Sequence, residues 1–336
     1  MKRHDLRVDP LTRTDVSAAV SLALPALGFL LDRPGAVSAT HLRSHLTQFL
    51  ETRIEQGRAI GVRQADGLLA GYAAYDQFPF HGEETAFIPV TAHAASPEAA
   101  PAVAERLYTA LATRWAATGI RKHLISIPAD RADVERRLFE IGFGRYVTVA
   151  VRDVSGAPSR SIALAESTVG VPDGTPPSAA VREATRSDVA GLVRLTDESV
   201  GWYAASPIFL RFEATDPGEL EALVTGAESA IFVAEEAGEL IGFMGISVVR
   251  EARFMDCVDV GAATLDGVGA YLTEHARGRG VGPSLLAACE RWARDRRCPL
   301  IHVDFESANP AARAFWPRHF QPSIHSLVRV LHPDSV

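Results

Sequence analysis

Residues 275–286 read HARGRGVGPSLL. This loop carries Gly278, Gly280 and Gly282 beside Arg277 and Arg279, and it runs into a helix. Val281, Leu285, Leu286, Cys289 and Trp292 recur at the spacing of one helical face,. Pro283 falls in the first turn, where N–H groups have no intrahelical partner. Glycine adopts positive φ and lets a ligand approach the backbone, and a helix N-terminus offers free amides and partial positive charge. The stretch therefore reads as an anion cradle. It is neither of two familiar ones. A Walker A loop needs GxxxxGK followed by Ser or Thr, which is absent, and a dinucleotide fingerprint needs a third glycine where Pro283 stands.

Working outward, VGAYLTE before the loop reads as a strand, and LIHVDFE after the helix as another,. The latter puts Ile301, Val303 and Phe305 on one face and His302, Asp304 and Glu306 on the other. A short helix follows at NPAARAFWPRHF. Upstream, VREAT reads as a strand and RSDVAGLVRLTDES as a helix. AIFVAEE and ELIGFMGISVV form a hairpin whose turn uses Gly238 at positive φ,.

The loop Arg277-x-x-Gly280-x-Gly282 between strand and amphipathic helix, with NPAARAFW beyond the next strand, resembles the GCN5-related N-acetyltransferase (GNAT) family. The resemblance implies that Arg277, Gly278, Arg279, Gly280, Val281 and Gly282 hold the pyrophosphate of acetyl-CoA. It further implies that the backbone of Leu272 and Thr273 pairs with the pantetheine arm, and that Asn309, Ala312, Phe315 and Trp316 line that arm from the short helix. Asn309 is also a helix cap, a compatible role. The chain departs from the family at Trp316, where members often carry a tyrosine that protonates the departing thiolate. An indole cannot serve as that acid. Either the thiolate leaves unaided, or another group such as Tyr271 or His319 takes over.

Transfer to an amine needs a neutral nucleophile, hence a base. Asp304 and Glu306 share a strand face just before the pantetheine helix and are the first candidates, with Glu274 in reserve. Trp202 and Tyr203, in GWYAASPIF after the first helix, fall where the family builds its acceptor pocket. Cys289 and Cys298 read as packing or loop residues, not nucleophiles.

The whole chain has 336 residues, 47% hydrophobic and 22% charged, with net charge -7. An acidic balance argues against nucleic-acid binding. Three cysteines without CxxC spacing suit a reducing compartment, and no run of 18 apolar residues suggests a membrane span. A cytoplasmic protein without a metal is expected, since the eleven histidines are scattered,. Residues 154–178, rich in Ser, Gly and Pro, read as a linker between domains 1–153 and 179–336. The halves share an order of elements, so an internal duplication is expected. The first half nevertheless reads HAASPEAAP where the second has its glycine loop. The expected architecture is α/β (α+β): two tandem GNAT-like modules, each a mixed, mostly antiparallel sheet flanked by helices. The first would be degenerate, and the arrangement resembles that of the mycothiol synthase branch of the family. The implied function is acetyl transfer from acetyl-CoA to a primary amine of a small molecule, by a monomer or homodimer. A non-catalytic acyl-CoA sensor and a protein lysine or N-terminal acetyltransferase are the alternatives.

Overall fold

The computed structural model describes residues 6–156 and 179–332, so most of the linker expected over 154–178 lies outside the described residues. The chain divides into two compact units. Unit 1 is Met1–Val149 with Ala252–Asp259 and Pro322–Val336, and unit 2 is Ala150–Glu251 with Val260–Gln321. The chain thus returns to unit 1 twice after leaving it.

Unit 1 begins with β1 (Arg7–Pro10), α1 (Val16–Ala26), α2 (Gly28–Leu31), α3 (Ala39–Glu55), β2 (Ala59–Arg63) and β3 (Leu69–Ala74). It continues through β4 (Asp76–Phe80), β5 (Glu83–Ile88), β6 (His93–Ala95), α4 (Ala100–Ala117), β7 (Lys122–Pro128), α5 (Ala132–Glu140) and the first part of β8 (Gly144–Asp153), within which the division at Val149 falls. Strands β1-β2-β3-β6 are all antiparallel, while β5 runs parallel to β7. Unit 2 holds β9 (Ala180–Glu183), α6 (Val189–Ala204), α7 (Pro217–Thr225), β10 (Ser229–Glu236), β11 (Glu239–Val248), β12 (Ala263–Thr264) and β13 (Ala270–Leu272). It is completed by α8 (Val281–Asp295), β14 (Leu300–Glu306) and α9 (Pro310–Phe315). Strands β9-β10-β11-β12 are antiparallel and β12 runs parallel to β14. The chain's last strand, β15 (Gln321–Val330), pairs from Ile324 to Val330 with β7 of unit 1. Both units are therefore mixed, mostly antiparallel sheets flanked by helices, as expected.

The duplication is visible in detail. In each unit one strand is broken in two. Its first part (β5, β12) lies parallel to the strand after the main helix, and its second part (β6, β13) turns back antiparallel to the hairpin strand (β3, β11). Each unit has a glycine where the second part presses on its neighbour. A Cβ on Gly71 would meet Ala94 O at 2.7 Å, and one on Gly242 would meet Tyr271 O at 2.9 Å. Each first helix is entered through the same box. Thr12 and Asp15 cap each other reciprocally, and so do Thr185 and Asp188,. An arginine completes each box, Arg63 on Asp15 at 2.7 Å and Arg182 on Asp188 at 2.8 Å.

In unit 2 the apolar stripe of α8 supplies the core: Val281, Leu285, Leu286, Cys289 and Trp292 are buried against Ile301, Val303 and Phe305 of β14. All three cysteines are free and buried. Among the described residues, no helix is long and apolar enough to cross a membrane.

Candidate active site

The broken strand makes the site. β12 pairs with β14 only at Ala263↔Ile301 and Thr264↔His302, after which the chain bulges and β13 pairs with β11 instead. The rest of β14 runs on without β13 beside it, and the sheet parts. The gap opens into a cavity of about 570 Å³ whose walls are β13, the start of α8, α9 and the end of α6.

At the rim, Gly278 (φ 74°) and Gly280 (φ 79°) are left-handed, and Gly280 is the N-cap of α8. This turn brings the loop's backbone round to the helix N-terminus, where first-turn N–H groups have no intrahelical acceptor. Gly282 keeps the cavity open beneath it, because a Cβ there would meet Phe315 Cε2 at 3.2 Å. Arg277 lies over Trp202, its guanidinium carbon 3.9 Å from the ring centroid, and donates from Nε to Leu272 O at 3.1 Å. Arg279 turns away, paired through both nitrogens with Glu236.

The structure brings Trp202, Tyr203, Leu272, Arg277, Gly278, Gly280, Gly282, Asn309, Ala312, Phe315 and Trp316 around this one cavity. Other expected residues stand off it. Thr273 is buried and spends its hydroxyl on Ile241 O (3.0 Å), Val281 is in the core, and Glu274 is exposed on a turn of 3-10 helix. Trp316 is buried and packs edge-on against Phe315 at 4.8 Å.

The polar face of β14 divides. His302 is fully buried, with Nδ1 3.2 Å from Thr264 Oγ1 and 3.1 Å from Asp266. Asp304 is exposed, its backbone N–H donating to Asp266 Oδ1 at 3.0 Å. Glu306 alone turns into a half-buried setting. Burial pushes its carboxyl above the ordinary glutamate range, against the opposing pull of its own backbone amide and of Tyr203,. Burial, and then the charge of Glu306, raise the Tyr203 phenol.

Asn309 caps α9: its Oδ1 accepts from the N–H groups of Ala311 (3.1 Å) and Ala312 (3.2 Å).

Sequence reasoning named neither Met244 nor Arg318 as lining residues, and both face the cavity. Met244 lies in a hairpin strand read only as core. Arg318 follows α9, and its only signal was the basic end of NPAARAFWPRHF. His319 also lines the cavity, its imidazole pKa lowered first by burial and then by Arg152 and Arg318.

In unit 1 the corresponding place, between β6 and the start of α4, is nearly filled. About 40 Å³ remains among Leu27, His93, Ala100, Leu107, Pro128 and Arg131. The turn there has Ala99 at the N-cap of α4, without a side-chain cap. Among the described residues no cluster of His, Cys, Asp or Glu has a metal-binding arrangement.

Comparison with known proteins agrees with this geometry. The pattern of the Acetyltransferase (GNAT) family matches residues 194–320, the stretch from α6 to the end of α9's turn. Over 143 residues, 41% of this chain and 87% of the relative, the sequence is 27% identical to the uncharacterized N-acetyltransferase YhfO of Bacillus subtilis. A stretch of 75 residues is 36% identical to an aminoglycoside N(6')-acetyltransferase type 1 of Klebsiella aerogenes, covering 22% of this chain and 47% of that enzyme. The crystal structure of a GCN5-related N-acetyltransferase from Sphaerobacter thermophilus superimposes with a TM-score of 0.52 at 13% identity, over 99% of this chain and 97% of that one, which shows a common fold.

Proposed function

We propose that this protein, which matches the acetyltransferase (GNAT) family pattern over residues 194–320, is an acyltransferase that moves an acetyl group from acetyl-CoA to the primary amine of a small cationic molecule. The observation that carries the proposal is the cavity whose rim is the left-handed glycine turn at the start of α8, with the half-buried Glu306 closing β14 three residues before Asn309 of the cavity wall.

The loop amides of Gly278–Gly282 and the helix dipole would hold the donor's pyrophosphate. Arg277 and Arg318 supply positive side chains at the rim. The parting of β13 from β14 leaves room between them for an extended amide-containing arm. Carried to the end of that arm, the thioester reaches the region of Tyr203 and Glu306. There the amine gives up its proton to Glu306 and attacks the carbonyl directly. Cys289 is fully buried in the core and its thiol is raised by burial, which removes it as a covalent nucleophile,.

The acceptor end supports a cation. Tyr203 lines the cavity with an aromatic ring and Glu306 supplies a carboxylate at the end of β14, a combination suited to ammonium groups,. The local similarity to an aminoglycoside acetyltransferase and the net charge of -7 point the same way,. In this reading unit 1 holds no donor, since its counterpart cleft is closed and its turn lacks glycine.

The test is acetyl-CoA-dependent thiol release across a panel of polyamines, aminoglycosides and basic peptides. Turnover with the small cations that falls at least a hundredfold in Glu306→Gln is expected. Turnover restricted to peptides would replace the acceptor class, and Glu306→Gln at full rate would remove Glu306 as base.

A further inference from the structure

We infer that Trp202 is a positioning residue of the donor site: its indole is the shelf that holds the Arg277 guanidinium at the cavity wall, set for a phosphate of the donor. The inference rests on the acetyl-transfer reading above and assigns to the donor a residue that sequence reasoning placed with the acceptor.

The two arginines of the glycine turn are in different states. Arg279 is neutralised by Glu236, which accepts from both of its terminal nitrogens. Among the described residues Arg277 forms no ion pair, and its side chain makes one hydrogen bond, from Nε to Leu272 O at 3.1 Å. The rest of its setting is aromatic. Its guanidinium carbon lies 3.9 Å from the Trp202 ring centroid and 5.8 Å from that of Tyr271. Arg277 lines the cavity, so an uncompensated positive charge stands at its wall.

An aromatic shelf suits that task better than a carboxylate. A carboxylate would cancel the charge and consume the N–H donors that an anion needs. A ring attracts the cation through its face and takes none of them. With Nε spent on Leu272 O, the N–H groups of Nη1 and Nη2 remain for an incoming oxyanion,.

The turn does not supply this hold from its own residues. Gly278 follows Arg277 directly, and neither it nor Gly280 has a side chain to pack against the arginine. An unsupported arginine loses rotamer freedom when it closes on a phosphate, and that loss subtracts from donor affinity. Here the ordering is completed on folding. Trp202 sits in the last turn of α6, whose Leu192 and Leu195 are buried in the core, and Tyr271 of β13 packs against the same core cluster. The guanidinium is therefore held by two rigid elements, neither of which is part of the turn.

The experiment is calorimetric titration of acetyl-CoA into wild type, Trp202→Leu, Trp202→Phe, Arg277→Gln and the double variant Trp202→Leu/Arg277→Gln. Trp202→Leu should weaken Kd by roughly 3- to 30-fold, the range of a cation–π contact. Trp202→Phe, which keeps a ring face, should recover most of that loss. Arg277→Gln should weaken binding at least as much as Trp202→Leu, because it removes the charge itself. In the Arg277→Gln background Trp202→Leu should cost less than about twofold, since the cation it served is gone. Trp202→Met repeats the measurement with an unbranched side chain if the leucine variant does not fold. Wild-type affinity in Trp202→Leu would overturn the inference and return Trp202 to the acceptor side. An equal loss with and without Arg277, or a phenylalanine variant as weak as the leucine one, would also overturn it, leaving a general packing role. A wild type that binds no acetyl-CoA would instead overturn the acetyl-transfer reading, a result distinct from a wild type that binds and a variant that binds equally well.

Discussion

Replacing Gly280 by alanine separates strain in the donor loop from contact with the donor. A Cβ at this position meets nothing within 4 Å, so no side-chain clash arises. The whole cost is the left-handed backbone, φ 79°, which disfavours an L side chain by roughly 1–2 kcal/mol,. The protein can bear this cost in two ways. If the loop keeps its turn, unfolding stability falls by that amount, a drop of about 2–8 °C in Tm for a domain of this size. Donor affinity then changes little. If the loop relaxes to negative φ, less stability is lost, but the amides turn from the phosphate and Kd weakens by about 5- to 30-fold for the same energy. The two losses, measured by thermal unfolding of the ligand-free protein and by acetyl-CoA titration, should together come to about 1–2 kcal/mol. Gly280→Asn should recover part of it, because asparagine tolerates the left-handed region better than alanine does. The reasoning fails if Gly280→Ala changes neither quantity, or if asparagine is worse than alanine.

Other outcomes follow from the same geometry. Since Glu306 must be ionised to accept a proton and its pKa is raised, the acidic limb of kcat against pH should lie above the ordinary glutamate range, near 4.3,. It should disappear in the residual activity of Glu306→Gln. Asn309→Ala should cost about 1 kcal/mol of stability through the lost cap, measured by urea unfolding,. Asp188, paired with Arg182 and capping α6, has a carboxyl held well below its usual range, so its stabilisation is present above about pH 4 and is lost as pH falls,. Unfolding of Asp188→Asn should accordingly be less sensitive to acid than that of wild type, while at neutral pH the variant is the less stable of the two.

Much of unit 2 was legible because its signals are local. The helix at Val281–Asp295 follows from its apolar stripe, the strand at Leu300–Glu306 from alternation, and the hairpin from Gly238, which takes φ 85° with Ala237 at 52°. The broken strand was not legible. Ala263–Thr264 and Ala270–Leu272 are too short for any period to show, and the gap between them is decided by which neighbour each half finds. The return of the chain's last strand to pair with Lys122–Pro128 likewise depends on contacts some 200 residues apart. The matched boxes TRTD and TRSD, at 12–15 and 185–188, carry the repeat in the sequence itself. Alternation put His302, Asp304 and Glu306 on one face correctly but could not separate their roles. What covers that face changes along the strand, from Thr264 and Asp266 to solvent to Tyr203, and those partners come from distant segments.

The central claim is that the turn at Gly278–Gly282 and the parted sheet beside it hold one CoA donor per chain. Calorimetric titration of acetyl-CoA into the purified protein, with Gly280→Glu as control, tests it most directly. The account predicts a single site per chain that is lost in the control, where a carboxylate would stand at the helix N-terminus against the phosphates. Two sites would contradict the closed cleft of unit 1, and no binding would contradict the donor site itself.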